Sequence, residues 1–142
     1  MKKFTYLLLI LGTCISAFGQ ESDLSPFIIK VSLKDGTTLF DGSQDFQEAT
    51  LQNELIFQQE KSKVPQVPYG QNSLLLLFTA AKDYNEFSYY LEGYDENWSD
   101  WSIETGKQYL DLAGERFYTF HIKARNATQI ESQEALFKFY IS

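Results

Sequence analysis

The residues best equipped for chemistry gather between Phe87 and Asp100. Asp95-Glu96-Asn97-Trp98-Ser99-Asp100 offers oxygen atoms at alternate positions, as a calcium loop does, but it lacks the glycine and the distant glutamate of an EF-hand. A solvated turn is the expected role. Tyr90, Tyr94 and Trp101 are the candidate binding surface, because exposed aromatic rings stack on sugars or fill protein interfaces. His121 is the sole histidine and Cys14 the sole cysteine, so neither a Cys/His metal site nor a catalytic triad can be assembled from them. The carboxylates are scattered through turns, and no pair is spaced as the acid and base of glycoside hydrolysis. These residues predict a protein that binds without catalysis, with no metal and no cofactor. Asn97-Trp98-Ser99 and Asn126-Ala127-Thr128 match the glycosylation pattern, a match read as coincidence.

The elements that must carry these residues follow a period of two. Tyr118, Phe120, Ile122 and Ala124 share one face of a strand whose other face holds Thr119, His121, Lys123 and Arg125. The same alternation runs through Phe87, Tyr89 and Leu91 against Ser88, Tyr90 and Glu92, and recurs at Ala135, Phe137, Phe139 and Ile141. Leu74 to Phe78 is apolar on both faces, which predicts a central strand covered on each side or one whose outer face meets another protein. Phe27, Ile29, Val31 and Leu33 alternate before Lys34-Asp35-Gly36-Thr37, a hairpin signal with Thr38-Leu39-Phe40 as the return arm. Leu55-Ile56-Phe57 reads as one more short strand, and Glu48 to Glu54 fits a helical turn as well as a strand. Gln58 to Gln71, with Pro65 and Pro68, reads as an exposed connection. Short strands with turns between them predict an all-β fold, an antiparallel β-sandwich of the immunoglobulin or fibronectin-III kind.

Met1-Lys2-Lys3, the apolar run from Leu7 to about Ala17 and the small residues Ala17 and Gly19 together predict a signal peptide over 1-19, cleaved after Gly19. A lipoprotein box at Leu11-Gly12-Thr13-Cys14, lipidated on Cys14, is the weaker alternative because of Thr13. After cleavage no thiol is left, so disulfides are excluded and the core alone must hold the domain. Loss of Lys2 and Lys3 takes the formal net charge from −7 to −9, which argues against nucleic acid and anionic membranes as partners. No later segment has the roughly 18 consecutive apolar residues of a transmembrane helix. The expected organisation is one domain: lead-in strands, hairpin and variable connection over 20-66, and a sandwich core over 67-142 packed with strand 27-33.

Two clusters resemble a known family. Tyr89, Leu91, Gly93, Tyr94, Asp95 and Trp98 form the first; Tyr118, Thr119, Phe120, Ile122, Ala124 and Asn126 form the second. In this order they resemble the triple-tyrosine, or Y_Y_Y, domain found in the periplasmic part of hybrid two-component sensor kinases and regulators. The resemblance covers about Val67 to Ile141, with Phe87 standing where a tyrosine is common. It implies a sandwich fold and a rigid contact or dimerisation element in signal sensing. It also implies a periplasmic or cell-surface location in a Gram-negative bacterium and a partner that is protein, including a second copy. Family members carry a propeller before the domain and a membrane helix and kinase after it, which this sequence does not show, so ligand sensing does not transfer. Two alternatives stay open: a small carbohydrate-binding module that uses the exposed aromatics, and a fragment of a longer sensor kinase.

Overall fold

The computed structural model describes residues 26–43 and 63–142. The signal peptide with its cleavage site, Cys14, the Leu55-Ile56-Phe57 strand and the Glu48 to Glu54 turn lie outside the described residues. Among the described residues there are eight strands: β1 (Phe27–Leu33), β2 (Thr38–Asp41), β3 (Gln66–Val67), β4 (Leu74–Thr79), β5 (Tyr84–Glu92), β6 (Gly106–Tyr109), β7 (Arg116–Asn126) and β8 (Ala135–Ile141). They make two four-stranded sheets, ordered β2-β1-β4-β6 and β3-β8-β7-β5. The fold is the expected all-β sandwich. No helix among the described residues is long and apolar enough to cross a membrane.

The core is the set of inward side chains that the alternation assigns. Leu74, Leu76 and Phe78 from the first sheet meet Phe87, Leu91, Tyr118, Phe120, Ile122, Phe137, Phe139 and Ile141 from the second, all essentially inaccessible to solvent. Phe78 bridges the layers, with its ring centroid 5.0 Å from Phe87, 5.9 Å from Tyr89 and 6.2 Å from Phe120. Tilted arrangements of this kind suit the ring quadrupoles.

The hairpin between β1 and β2 forms where Asp35-Gly36 signals it. Gly36 has φ of 89°, a conformation that glycine adopts without steric cost, and its N–H donates to the Leu33 carbonyl. Within β1 the simple alternation fails. The register shifts between Ile28 and Lys30, and the extra residue turns Ile28 into the core while Ile29 is only half-buried. The proline-flanked connection also departs from expectation. Val67 is fully buried, and β3 runs parallel to β8, so one pairing in an otherwise antiparallel fold is parallel. The polar strand β6 has no period-two signal. Its pairing with β4, Leu74 opposite Tyr109 and Leu77 opposite Gly106, is what makes it a strand.

Leu75 and Leu77 lie on the outer face of the first sheet, where Leu75 is exposed and Leu77 half-buried. β4 is therefore central within its sheet but open to solvent on one face.

Candidate interaction surface

Strand β5 is the element from which the surface is built, because it is a sheet edge that must satisfy its own outward backbone groups. The chain after β5 folds back as a strap, Asp95–Ser102, that does so. Gly93, with φ of 98°, makes the reversal, and a Cβ there would stand 3.2 Å from the Tyr118 ring. The Leu91 N–H donates to Asp95 Oδ2 at 2.8 Å, and the Asp95 N–H donates back to the Leu91 carbonyl at 2.8 Å. The Tyr89 N–H donates to Ser99 Oγ at 3.0 Å, and the Ser99 N–H donates to the Tyr89 carbonyl at 2.8 Å. Phe87 and Ser102 exchange both backbone bonds, at 2.7 and 2.9 Å. Two side chains and one short bridge thus take the place of a missing strand. Ser88, on the outward side of β5, is buried beneath this strap and donates to the Ser99 carbonyl at 2.6 Å.

The strap is fastened by aromatic rings on the outer face of the second sheet. Trp98 stands edge-on to Tyr90 at 4.6 Å, and Tyr90 stacks on His121 at 4.3 Å with the planes 6° apart. The Lys123 ammonium lies 4.5 Å over the Trp98 ring, and the Arg125 guanidinium 4.4 Å over the Trp101 ring. Carboxylates close the mesh. His121 Nε2 is 3.1 Å from Glu92 and Nδ1 3.3 Å from Glu134, Lys123 pairs with Glu131 at 3.3 Å, and Arg125 pairs with Glu86 at 2.8 Å.

Tyr90 and Trp101 therefore share one face, with Trp98, His121, Lys123 and Arg125 beside them. Tyr94 points elsewhere. It is exposed and stands edge-on to Tyr109 at 5.7 Å. Leu75 and Leu77 are on the opposite outer face of the molecule, so they form no continuous patch with Tyr90 and Trp101. The charged residues of this face, Lys123 and Arg125 above all, are the contributors that sequence reasoning missed. Their signal was their place opposite the apolar side of β7, three strand positions in a row that carry His121, Lys123 and Arg125.

Tyr109, which lies outside both motif clusters, and Tyr118 and Asn126 within them have polar partners in the structure. The Tyr109 hydroxyl donates to Asp95 Oδ2 at 2.8 Å, so one carboxylate oxygen serves both the strand edge and this phenol. Burial first, and then the bond to Asp95, push the Tyr109 phenol far above its ordinary range. The Tyr118 hydroxyl donates to the Ala113 carbonyl at 2.8 Å and fixes the turn before β7; burial raises its proton affinity also. Tyr89 faces inward, and its phenol is raised by burial and then by Glu104 and Asp95. Asn126 Oδ1 accepts from the Thr128 N–H, the Thr128 hydroxyl and the Ile130 N–H, and so shapes the turn after β7. The oxygens of Asp95 and Ser99 that resembled calcium ligands are engaged in these bonds. Among the described residues no group of three or more His, Cys, Asp or Glu side chains is placed to hold a metal ion.

No protein-family model matches the chain, and no curated protein matches it in sequence. Solved structures do match in fold. The extracellular domain of BT3049, classed as a hybrid two-component system of B. thetaiotaomicron, shares 17% identity over 84% of this chain with a TM-score of 0.61. The extracellular domain of BT4673 from the same organism, also classed as a hybrid two-component system, shares 15% identity over 87% of this chain with a TM-score of 0.57. This chain covers 15% and 16% of those two chains, about one sixth of their length.

Proposed function

We propose that this chain is an exported, non-catalytic contact domain of the triple-tyrosine type, which works in a signal-sensing assembly by binding protein. The observation that carries the reading is the fold match: nearly the whole sandwich corresponds to one small portion of sensor extracellular domains. A portion of that kind acts on signals through what it touches. The outer face of the second sheet supports this. Its aromatic rings and charges are held in fixed positions by one another, and Arg and Trp of this sort are common at protein contacts. Stacking on a sugar would have to use the remaining faces, since Arg125 covers one side of Trp101, His121 covers one side of Tyr90, and Trp98 stands edge-on to Tyr90. Protein contact is the better supported use of this surface, and a periplasmic or cell-surface location follows from the predicted signal peptide.

Affinity capture from a bacterial envelope with the intact protein as bait tests the proposal. The expected result is recovery of a membrane sensor that carries a large extracellular domain, with at least tenfold less recovery for Trp101→Ala and Arg125→Ala variants that keep their circular dichroism. Recovery of no sensor, or equal recovery by those variants, would overturn it.

A further inference from the structure

His121 lies on the outer face of the second sheet with a carboxylate against each of its ring nitrogens. Nε2 is 3.1 Å from Glu92 and Nδ1 is 3.3 Å from Glu134. Glu92 closes β5 and Glu134 stands one residue ahead of β8, so this one ring on β7 ties all three strands together. The imidazole is only 13% exposed, whereas the two carboxylates, 65% and 45% exposed, reach down to it from solvent. A neutral ring cannot make both contacts as hydrogen bonds. It carries a single N–H, so one carboxylate faces a lone pair; with a second proton both nitrogens donate.

The groups packed around the ring set the direction in which a proton acts. β5 contributes Glu92 and the Tyr90 ring, which stacks on the imidazole at 4.3 Å and favours a cation over its face. The segment ahead of β8 contributes Glu134, and the strap contributes the uncharged Trp98 ring at 6.4 Å. Burial of the ring and two cations oppose the charge. Those cations are turned to other partners: Lys123 of β7 lies over Trp98 and pairs with Glu131, and Lys138 of β8 lies 4.9 Å over Phe117. Carboxylates and ammonium groups hold their charge between about pH 5 and pH 8. The Tyr90 phenol, raised by burial and then by Glu134 and Glu92, stays neutral there. The imidazole is therefore the group on this face that changes charge over that range.

We propose that His121 is a proton-operated clasp on the contact face: doubly protonated, it holds Glu92 and Glu134 together across β5, β7 and β8 and stiffens the Tyr90 and Trp98 end of the strap, and loss of one proton releases Glu134. This rests on the reading of the chain as a contact domain and adds a control over that same surface. Glu134 is the arm that lets go because its contact is the longer of the two, so the remaining hydrogen stays on Nε2 toward Glu92. A face already held in place has less side-chain ordering left to undergo on contact, so the closed clasp favours the partner.

The chain has one histidine, so its ring signals stand alone in a nitrogen-15 spectrum. The Nε2–H tautomer is expected at about pH 8 and two protonated nitrogens at about pH 5.5; an Nδ1–H tautomer would overturn the choice of Glu134 as the released arm. The Ser99 N–H fastens the strap to the Tyr89 carbonyl. Corrected for its intrinsic rate, it should exchange at least about threefold more slowly at the lower pH, the scale of two exposed ion pairs. Capture of the sensor should be stronger at the lower pH by a similar factor. His121→Gln takes up no proton and should lose both differences. Glu134→Gln, uncharged and able to donate to a bare ring nitrogen, should lose most of them, and it carries the comparison if His121→Gln fails to fold. Ser99 exchange that ignores pH, or that keeps its full difference in the folded variants, overturns the clasp; capture that ignores pH overturns its control of the face. Recovery of no sensor at either pH removes the contact reading, and the exchange comparison then decides the clasp by itself.

Discussion

Asp95 is the residue on which most converges, since Oδ2 receives both the Leu91 N–H and the Tyr109 hydroxyl. The pairing makes Tyr109 a pH-sensitive element of stability. Its phenol is held protonated in the folded state by burial and by Asp95, whereas in the unfolded chain a tyrosine ionises near pH 10. A folded-state affinity raised in this way contributes fully below about pH 10 and is lost as pH rises beyond it. Tyr109→Phe should lower stability at pH 7 by about 1 to 2 kcal/mol through the lost bond. It should also flatten the alkaline loss by up to about 1.4 kcal/mol per pH unit, as read from urea titrations between pH 8 and 11. Tyr89, Tyr90 and Tyr118 shift in the same direction, so part of the alkaline slope persists in the variant. The sequence showed Asp95 as a turn former with its own backbone. The tie to Tyr109 was illegible, because that partner is 14 positions away on a strand with no periodic signal.

At the level of elements, Gly93, Asp95, Ser99 and Trp98 act together to build the strap. Gly93 reverses the chain, Asp95 and Ser99 supply acceptors, and Trp98 fastens the segment to β7. Asp95→Ala should cost about 2 kcal/mol, the scale of a bond to a charged acceptor. Hydrogen exchange at Leu91, and to a smaller degree at Tyr89, should accelerate at least tenfold, while Ile122 in the central strand follows global unfolding only. Equal acceleration at Ile122 would mean that the strap and the core open as one. Strands β5, β7 and β8 were legible because each buries one face and its sequence alternation is intact, and β4 was legible from its continuous apolar run instead. β3 and β6 were not, since two or four polar or proline-flanked residues become strands only when a longer neighbour pairs with them. The bulge in β1 was hidden for a related reason: one inserted residue reverses the facing of what precedes it, and no side chain marks it.

Across the whole molecule, the two sheets are one folding unit because their rings interlock. Phe120 lies 6.2 Å from Phe78 and 6.1 Å from Tyr109 on the first sheet and 5.7 Å from Tyr89 on its own. Phe120→Ala should lower stability by about 3 to 5 kcal/mol. Far-ultraviolet dichroism and tryptophan fluorescence should still trace one coincident transition. The fold class was legible from periodicity alone. The arrangement of charges over the tryptophans was not, because it depends on a return of the chain across a sheet face. The parallel partnership of β3 with β8 has a mechanical side. β8 is gripped by β7 along one flank and by β3 along the other, with the Tyr140 N–H bonded to the Pro65 carbonyl and the Ser142 N–H to the Val67 carbonyl. Tension along the axis of β8 therefore loads both rows of hydrogen bonds in shear, where an edge strand would have only one row to resist it. The last strand is seated to carry a pull into the body of the domain without being peeled away.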